Sequence, residues 1–282
     1  MARIAFVTDS TAYIPENLVR QYDIKVAPQT LIWGSDLYLD GVDITPAEFY
    51  SRLRTAEVMP TTSEVNPGKL KEILDPLVAE GASVIMLLLS SKLSGTINSA
   101  NHTKEMLPSA HIEIVDSEAT AMALGFQVLA AARAAAEGKS FDEVLAVARR
   151  GKEHTGVVFV VDTLEFLHRG GRIGGASKLL GTALNIKPLL ELQNGRIEPL
   201  ERVRTKAKAL ARMLDVLEQR LAGRTPVRLA ALHAAAEDEA RGVLEQAVRR
   251  FNPVEALLTD ASPVVGAHTG PGTVALAYSV GV

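Results

Sequence analysis

Short apolar runs alternate with helix-compatible segments along the first half of the chain. The clearest run, residues 84–89, has six apolar residues in succession, which is typical of a strand buried on both faces. Similar runs begin at Ile4 and Ile112, and the segments between the runs contain helix-start signals. This alternation predicts an α/β domain with a parallel sheet.

The pattern changes in the second half. Residues 186–192 and 196–203 flank Asn194-Gly195, a pair that favours the positive-φ turn of a β-hairpin. Further apolar runs predict strands at residues 157–161, 227–232, 254–258 and 274–280. We therefore predict an α+β domain with a mixed sheet here, with domain bounds at 1–155 and 156–282.

Hydroxyl-rich clusters follow several predicted strands. Thr8-Asp9-Ser10, Ser90-Ser91 and Asp116-Ser117 each stand at a strand end, and Ser94-Gly95-Thr96 opens a helix. Ligands of open parallel sheets bind beyond the carboxyl ends of strands, and helix starts favour anions. The repetition predicts an anion site at this edge, although helix capping alone also explains Ser94 or Thr96.

Four other segments are candidates for binding. Residues 61–63 are predicted in a loop that follows Pro60 and is free to face a ligand, and an ordinary solvated turn is the alternative. The Gly/Arg-rich segment 168–175 suits a phosphate or a flexible solvated loop, but it lacks the lysine and spacing of a Walker loop. The basic run around Arg204 suits a partner or a solvated helix face. His268 lies between glycines and suits either a site or a structural role.

Composition narrows the classes of function. The chain has 282 residues, 47% of them hydrophobic, and a net charge of −3, so nucleic-acid binding is not expected. It has no cysteine, which excludes disulfides, thiolate metal sites and a cysteine nucleophile. The first apolar run is too short for a signal peptide, and no run approaches a membrane span. We expect a soluble, cytoplasmic protein.

Seven short motifs are spread along essentially the whole chain. They are Thr8-Asp9-Ser10-Thr11, Pro60-Thr61-Thr62-Ser63, Ser90-Ser91-Lys92-Leu93-Ser94-Gly95-Thr96, Leu167-His168-Arg169-Gly170-Gly171-Arg172-Ile173, Ile186-Lys187-Pro188, Val203-Arg204-Thr205 and Gly266-Ala267-His268-Thr269-Gly270-Pro271-Gly272. In order and spacing they resemble the DegV family of fatty-acid-binding proteins, which includes the acyl-carrying subunit of bacterial fatty acid kinase. Each motif is weak by itself, and the specificity comes from all seven together.

The resemblance implies a Rossmann-like N-terminal domain and an α+β C-terminal domain. It also implies that an acyl chain such as palmitate lies in a tunnel between the two domains. It implies that Thr62, and Ser94 with the Gly95 amide, hold the carboxylate, with Arg172 and His268 near this head group. Ser63 belongs to the same expected lipid-binding set. The family often has glutamine where this chain has Glu64, which either points outward or weakens carboxylate binding.

The expected function is therefore that of a carrier without catalytic residues, metal or cofactor. It would present the carboxylate to a partner fatty acid kinase, with Arg172 or Arg204 assisting the phosphate or the partner. One alternative is an acyl hydrolase with Ser94 as nucleophile and His268 as base, although the Gly-x-Ser-x-Gly spacing is missing. Another is a nucleotide- or phosphate-binding module built on segment 168–175.

Overall fold

A computed structural model describes residues 3–181 and 186–281. The strands are β1 Ile4–Asp9, β2 Lys25–Ala27, β3 Thr30–Trp33, β4 Asp36–Leu39, β5 Thr61–Ser63, β6 Ser83–Leu88, β7 Ile112–Asp116, β8 Thr155–Val160, β9 Lys187–Gln193, β10 Arg196–Val203, β11 Val227–His233, β12 Glu255–Asp260 and β13 Val274–Val280. The helices are α1 Glu16–Gln21, α2 Pro46–Leu53, α3 Pro67–Ala79, α4 Thr96–Glu105, α5 Ala121–Ala136, α6 Phe141–Arg150, α7 Glu165–Arg169, α8 Lys206–Leu221, α9 Glu237–Phe251 and α10 Pro263–Thr269.

The parallel sheet has the strand order β2-β1-β6-β7. β6 is an interior strand, and all of its residues except Ser83 are buried, as the apolar run predicts. Its side chains alternate between two layers: Ile85 and Leu87 face α5, while Met86 and Leu88 face the core under α3. The parallel α/β part of the predicted fold class is confirmed.

The second sheet is mixed and has the order β10-β9-β8-β13-β11-β12. β9 and β10 form the predicted antiparallel hairpin, and Asn194 and Gly195 have the positive φ angles that its turn requires. β11 pairs parallel to β12 and antiparallel to β13. Helices α8 and α9 cover one face of this sheet, which confirms the predicted α+β part with a mixed sheet.

Helix α5 joins the cores of the two sheets. Twelve of its sixteen residues are buried, and it contacts β1 and β6 on one side and β8 and β13 on the other. A helix that is apolar all round belongs in an interior, and its many alanines allow both sheets to approach closely. One continuous apolar cluster therefore runs from Ile85 through α5 to Phe159 and Ala275.

One local prediction is wrong. Residues 61–63 are not a loop, because Thr62 pairs with Leu31 and β5 completes a small antiparallel sheet of order β4-β3-β5.

His268 is part of α10, where Pro263 occupies the first turn and Gly270, with φ of 76°, follows the end.

Within residues 3–181 and 186–281, no helix combines the length and apolarity that crossing a membrane requires.

Because α5 lies between two sheets, truncating one of its core side chains should destabilise the fold. Leu124 is 0% exposed, and we expect Leu124→Ala to lower the free energy of unfolding by about 2–5 kcal/mol. The matched control is Leu37→Ala, at a leucine that is 68% exposed, which should change it by less than about 0.5 kcal/mol. Urea unfolding measures both, and equal losses would contradict the packing described for α5.

Candidate functional site

A cavity with a mainly apolar lining lies between the two parts of the fold. It encloses about 950 Å³ of atom-free space, including the part open to solvent at its mouth. Both predicted domains contribute apolar side chains to its wall, namely Leu89, Leu93, Ala121, Val157, Phe159, Leu167, Leu192, Ile197, Leu232, Ala261, Val264, Val265 and Ala275. Such a lining suits a ligand that is largely hydrocarbon.

Thr62 and His268 meet at a polar part of this lining. Thr62 Oγ1 lies 2.8 Å from His268 Nε2, so β5 and α10 are joined by a hydrogen bond between residues distant in the sequence. The ring packs directly against Gly170, where a Cβ atom would overlap with Nδ1. Burial, and then the nearby charge of Arg172, lower the pKa of His268 to about 4, so the ring is neutral at pH 7.

The surroundings of the imidazole fix its tautomer. Nδ1 is buried and has no hydrogen-bond partner among the described residues. A buried donor without a partner is costlier than a buried acceptor without one, so we assign the proton to Nε2. Nε2 then donates to Thr62 Oγ1, and the hydroxyl proton of Thr62 is left for another acceptor. The hydroxyl proton of Thr62 therefore has no acceptor among the described residues.

Ser94 lies in the same lining, at the start of α4. Its hydroxyl oxygen lies 3.0 Å from Thr96 Oγ1 and accepts a hydrogen bond from the Thr96 amide at 3.3 Å. Ser94 therefore supports the helix start, as the capping alternative proposed, and also faces the cavity. Gly95 is beside the cavity lining rather than in it, and its amide donates no hydrogen bond to the described residues.

Thr96 organises the loops around Ser94, a role that the sequence did not reveal. Its fully buried hydroxyl oxygen accepts hydrogen bonds from Gln29 Nε2 at 3.0 Å and from the Val65 amide at 3.4 Å. These contacts tie the start of α4 to the segments next to β3 and β5. A threonine at a helix start usually acts as a local cap, so no sequence signal indicated this hub.

Arg172 brings a positive charge to the cavity wall. Its Nε donates to the Leu93 carbonyl at 2.9 Å, and its Nη1 donates to the Gly170 carbonyl at 2.8 Å. Nη2 forms no hydrogen bond with the described residues and lies on a side chain that lines the cavity. The two backbone contacts hold the guanidinium in place, so Nη2 is positioned for an anionic ligand.

The remaining predicted residues are placed as follows. Ser63 lines the cavity. Arg204 does not line it, is exposed before α8, and has no hydrogen bond or ion pair with the described residues. Glu64 also lines the cavity and lies against Gly95, where an added Cβ would be 3.2 Å from the Glu64 Cδ. The carboxylate of Glu64 is therefore near the predicted head-group position rather than away from it.

Asp40 holds α10 in position and was missed by the sequence analysis. Its carboxylate accepts hydrogen bonds from Ser10 Oγ at 2.6 Å, Ser262 Oγ at 2.7 Å and the Val264 amide at 3.4 Å. Burial raises the pKa of Asp40 to about 6. In the sequence Asp40 precedes Gly41, and an Asp-Gly pair indicates only a turn.

No group of histidine, aspartate or glutamate side chains within the described parts of the chain could hold a metal ion. The polar lining instead offers hydroxyls and a guanidinium nitrogen, which are donors suited to a carboxylate or a phosphate.

Because Gly170 supports the ring of His268, a side chain there should displace the imidazole. We expect Gly170→Ala to break the Thr62–His268 hydrogen bond and to raise the pKa of His268 towards its ordinary value of 6.5 as the ring gains solvent. NMR titration of the imidazole measures this pKa. The matched control is Gly242→Ala on α9, where a Cβ meets nothing within 4 Å. An unchanged titration of His268 in Gly170→Ala would contradict the contact.

Two groups with shifted pKa values, His268 and Asp40, should give opposite pH dependences of folding stability. The pKa of His268 is lowered from 6.5 to about 4, so its contribution is complete above pH 6.5 and is lost as the pH falls towards 4. The pKa of Asp40 is raised from 3.8 to about 6, so stability falls as the pH rises through this range.

We therefore expect His268→Gln to make the slope of the unfolding free energy against pH more negative between about pH 4 and 6. Asp40→Asn should make this slope more positive. Each slope should change by up to about 1.4 kcal/mol per pH unit. Urea unfolding at a series of pH values gives the slopes. Parallel curves for both variants and the wild type would refute the assigned protonation states.

Comparison with known proteins identifies the family. A family model for uncharacterised proteins of the DegV family matches residues 3–280. A DegV domain-containing protein of Streptomyces coelicolor is 39% identical over 278 residues, which cover 98% of each chain. A solved structure described as fatty acid binding of a DegV family protein from Thermus thermophilus has 35% identity and a TM-score of 0.93, covering 99% of each chain.

A second solved structure is DegV from Bacillus subtilis, described as a fatty acid binding protein. It has 31% identity and a TM-score of 0.91, and the match covers 99% of this chain and all of that one. Both matches cover almost every residue of this chain and therefore include both sheets. This chain belongs to the DegV family.

Proposed function

We propose that this protein binds a long-chain fatty acid in the cavity. The acyl chain lies among the apolar side chains, and the carboxylate lies at the polar lining. The observation that carries the proposal is that an apolar wall and the polar side chains of Thr62, Ser94 and Arg172 line the same cavity. Two family members of similar structure, described as fatty acid binding, support it.

The energetics favour a long chain. Each buried methylene contributes about 0.8 kcal/mol, so a chain of about sixteen carbons gives roughly 10 kcal/mol of gross transfer free energy. Ordering the chain and losing its free motion offset much of this gain. The apolar wall therefore supplies the affinity, and the polar cluster fixes which end of the ligand lies where.

The head group would be held mainly by neutral donors. Thr62 has a free hydroxyl proton when His268 carries its proton on Nε2, and Gly95 has a free amide. Arg172 adds a single charged donor, while Ser63 and Ser94 add hydroxyls. Together these residues can satisfy both oxygens of a carboxylate, although the charge of nearby Glu64 opposes its binding.

We further propose that the protein is a carrier that presents the carboxylate to a partner fatty acid kinase in the cytoplasm. Its two predicted domains, 1–155 and 156–282, each contribute residues to the cavity. Arg204 is exposed and free of partners within the described chain, so it is suited to contact the kinase or a phosphate. The protein itself would supply binding and orientation, with no cofactor.

The hydrolase alternative receives less support from the geometry. A serine nucleophile needs a histidine base within hydrogen-bond reach, and that base needs an orienting group. The hydroxyl of Ser94 contacts Thr96 instead, while His268 contacts Thr62 and has no partner on Nδ1. The phosphate-module alternative is also less favoured, because the backbone amides of Gly170, Gly171 and Arg172 already donate to backbone carbonyls and cannot form a phosphate-binding loop.

Native mass spectrometry of the purified protein tests the proposal. We expect a mass excess equal to a long-chain fatty acid, which organic extraction then identifies. Thr62→Ala combined with Ser94→Ala should reduce the bound fraction at least about tenfold, since two hydrogen bonds to a charged group are lost. Thr61→Ala combined with Ser91→Ala is the matched control, because these neighbouring hydroxyl residues are exposed and do not line the cavity.

If the measured mass equals that of the protein alone, and still does so after incubation with free fatty acids, fatty acid binding is refuted. Adding ATP to the loaded protein then tests the carrier role. We expect no acyl phosphate without a partner protein, and acyl phosphate formed by the purified protein alone would show that it is itself the kinase.

A further inference from the structure

Two hydroxyl residues of the cavity wall are not explained by the head group. Tyr13 and Thr120 both line the cavity, and both hydroxyl oxygens are buried without a hydrogen-bond partner among the described residues. Buried polar groups are satisfied in the great majority of cases, and each exception costs free energy. Two such groups in the wall of one ligand cavity indicate partners that arrive with a ligand.

The backbone is strained at Tyr13 and directly after Thr120. Tyr13 has φ of 57°, and Ala121, directly after Thr120, has φ of 55°. Bulky residues rarely adopt this left-handed conformation, and such residues cluster at ligand-binding sites. The strain is maintained by close packing, since a Cβ atom on Gly125 of α5 would collide with the carbonyl of Ala12.

The neighbouring charges keep Tyr13 a donor. Burial first, and then the carboxylates of Asp40 and Asp260, raise the pKa of the Tyr13 phenol well above its ordinary value. The phenol therefore keeps its proton. His233, which also lines the cavity and is 6% exposed, has Nδ1 3.5 Å from Asp260 Oδ1 but makes no hydrogen bond there. This part of the wall thus has more polar groups than partners.

We propose that Tyr13 and Thr120 form a second recognition point for an oxygen atom carried by the acyl chain, such as a hydroxyl or ketone group. This inference rests on the proposed fatty acid binding. The Tyr13 phenol donates a hydrogen bond to the chain oxygen. The Thr120 hydroxyl accepts a hydrogen bond from a chain hydroxyl or donates one to a ketone. A plain hydrocarbon chain leaves both hydroxyls without a hydrogen-bond partner. An oxygenated chain therefore gains affinity from these two contacts, and an unsubstituted chain does not.

Affinity ratios test the inference. Stearate and a set of positional isomers of hydroxystearate are titrated into the delipidated protein, and the ratio of each isomer's affinity to that of stearate is determined. We expect at least one isomer to match or exceed stearate, since a hydroxyl buried without a partner would instead weaken binding about tenfold. Tyr13→Phe and Thr120→Val should each lower that isomer's ratio about tenfold.

Tyr50→Phe is the matched control. It also removes a buried phenol, but one that donates to the Ala261 carbonyl at 2.9 Å and does not line the cavity, so the ratio should not change. If every isomer binds more weakly than stearate, or if Tyr13→Phe and Tyr50→Phe shift the ratio equally, the hydroxyls hold ordered water only and the inference is wrong. If stearate itself does not bind, the proposed function fails and this inference fails with it.

Discussion

The buried carboxylate of Asp40 connects the two halves of the site. It follows β4 and accepts hydrogen bonds from Ser10, which follows β1, and from Ser262 and the Val264 amide at the start of α10. A carboxylate in an interior is stable only when such donors surround it. Because α10 carries His268, the position of the imidazole over Thr62 depends on this junction. The polar lining of the cavity is thus fixed by a residue that does not line it.

The second constraint is the size of the side chains in α5. Alanines dominate this helix, so the parallel and the mixed sheet pack against it with little separation. Thr120 and Ala121, at the start of α5, line the cavity, and so do Phe159 and other residues of the mixed sheet. The apolar core and the cavity wall are therefore continuous, and the proposed acyl chain would extend the packing that already holds the fold together.

Features set by local chemistry were predictable from the sequence. The buried run of β6, the Asn194-Gly195 turn and the capping boxes at Thr45 and Ser140 all depend on residues close in the chain. The pairing of Thr62 with Leu31 was not predictable, because three residues after a proline have too little pattern to indicate a partner strand.

The residues of the candidate site likewise include some that the sequence indicated and one that it did not. Motif resemblance selected Thr62, Ser94, Arg172 and His268, which the fold brings to one cavity. Their roles towards a ligand remain proposals. Asp40 could not be selected, since its bond to Ser262 spans 222 positions and its sequence signal is only that of a turn.

Thr62 lies on a strand of three residues that pairs with a single neighbour. The free energy needed to detach such a segment is small compared with that of separating the two sheets, because only a few hydrogen bonds and the contact with His268 are lost. Exchange of a bound ligand can therefore proceed by local opening of one edge strand, with the main core intact. The rate of this opening, rather than the depth of the cavity, would then set how long a bound molecule stays.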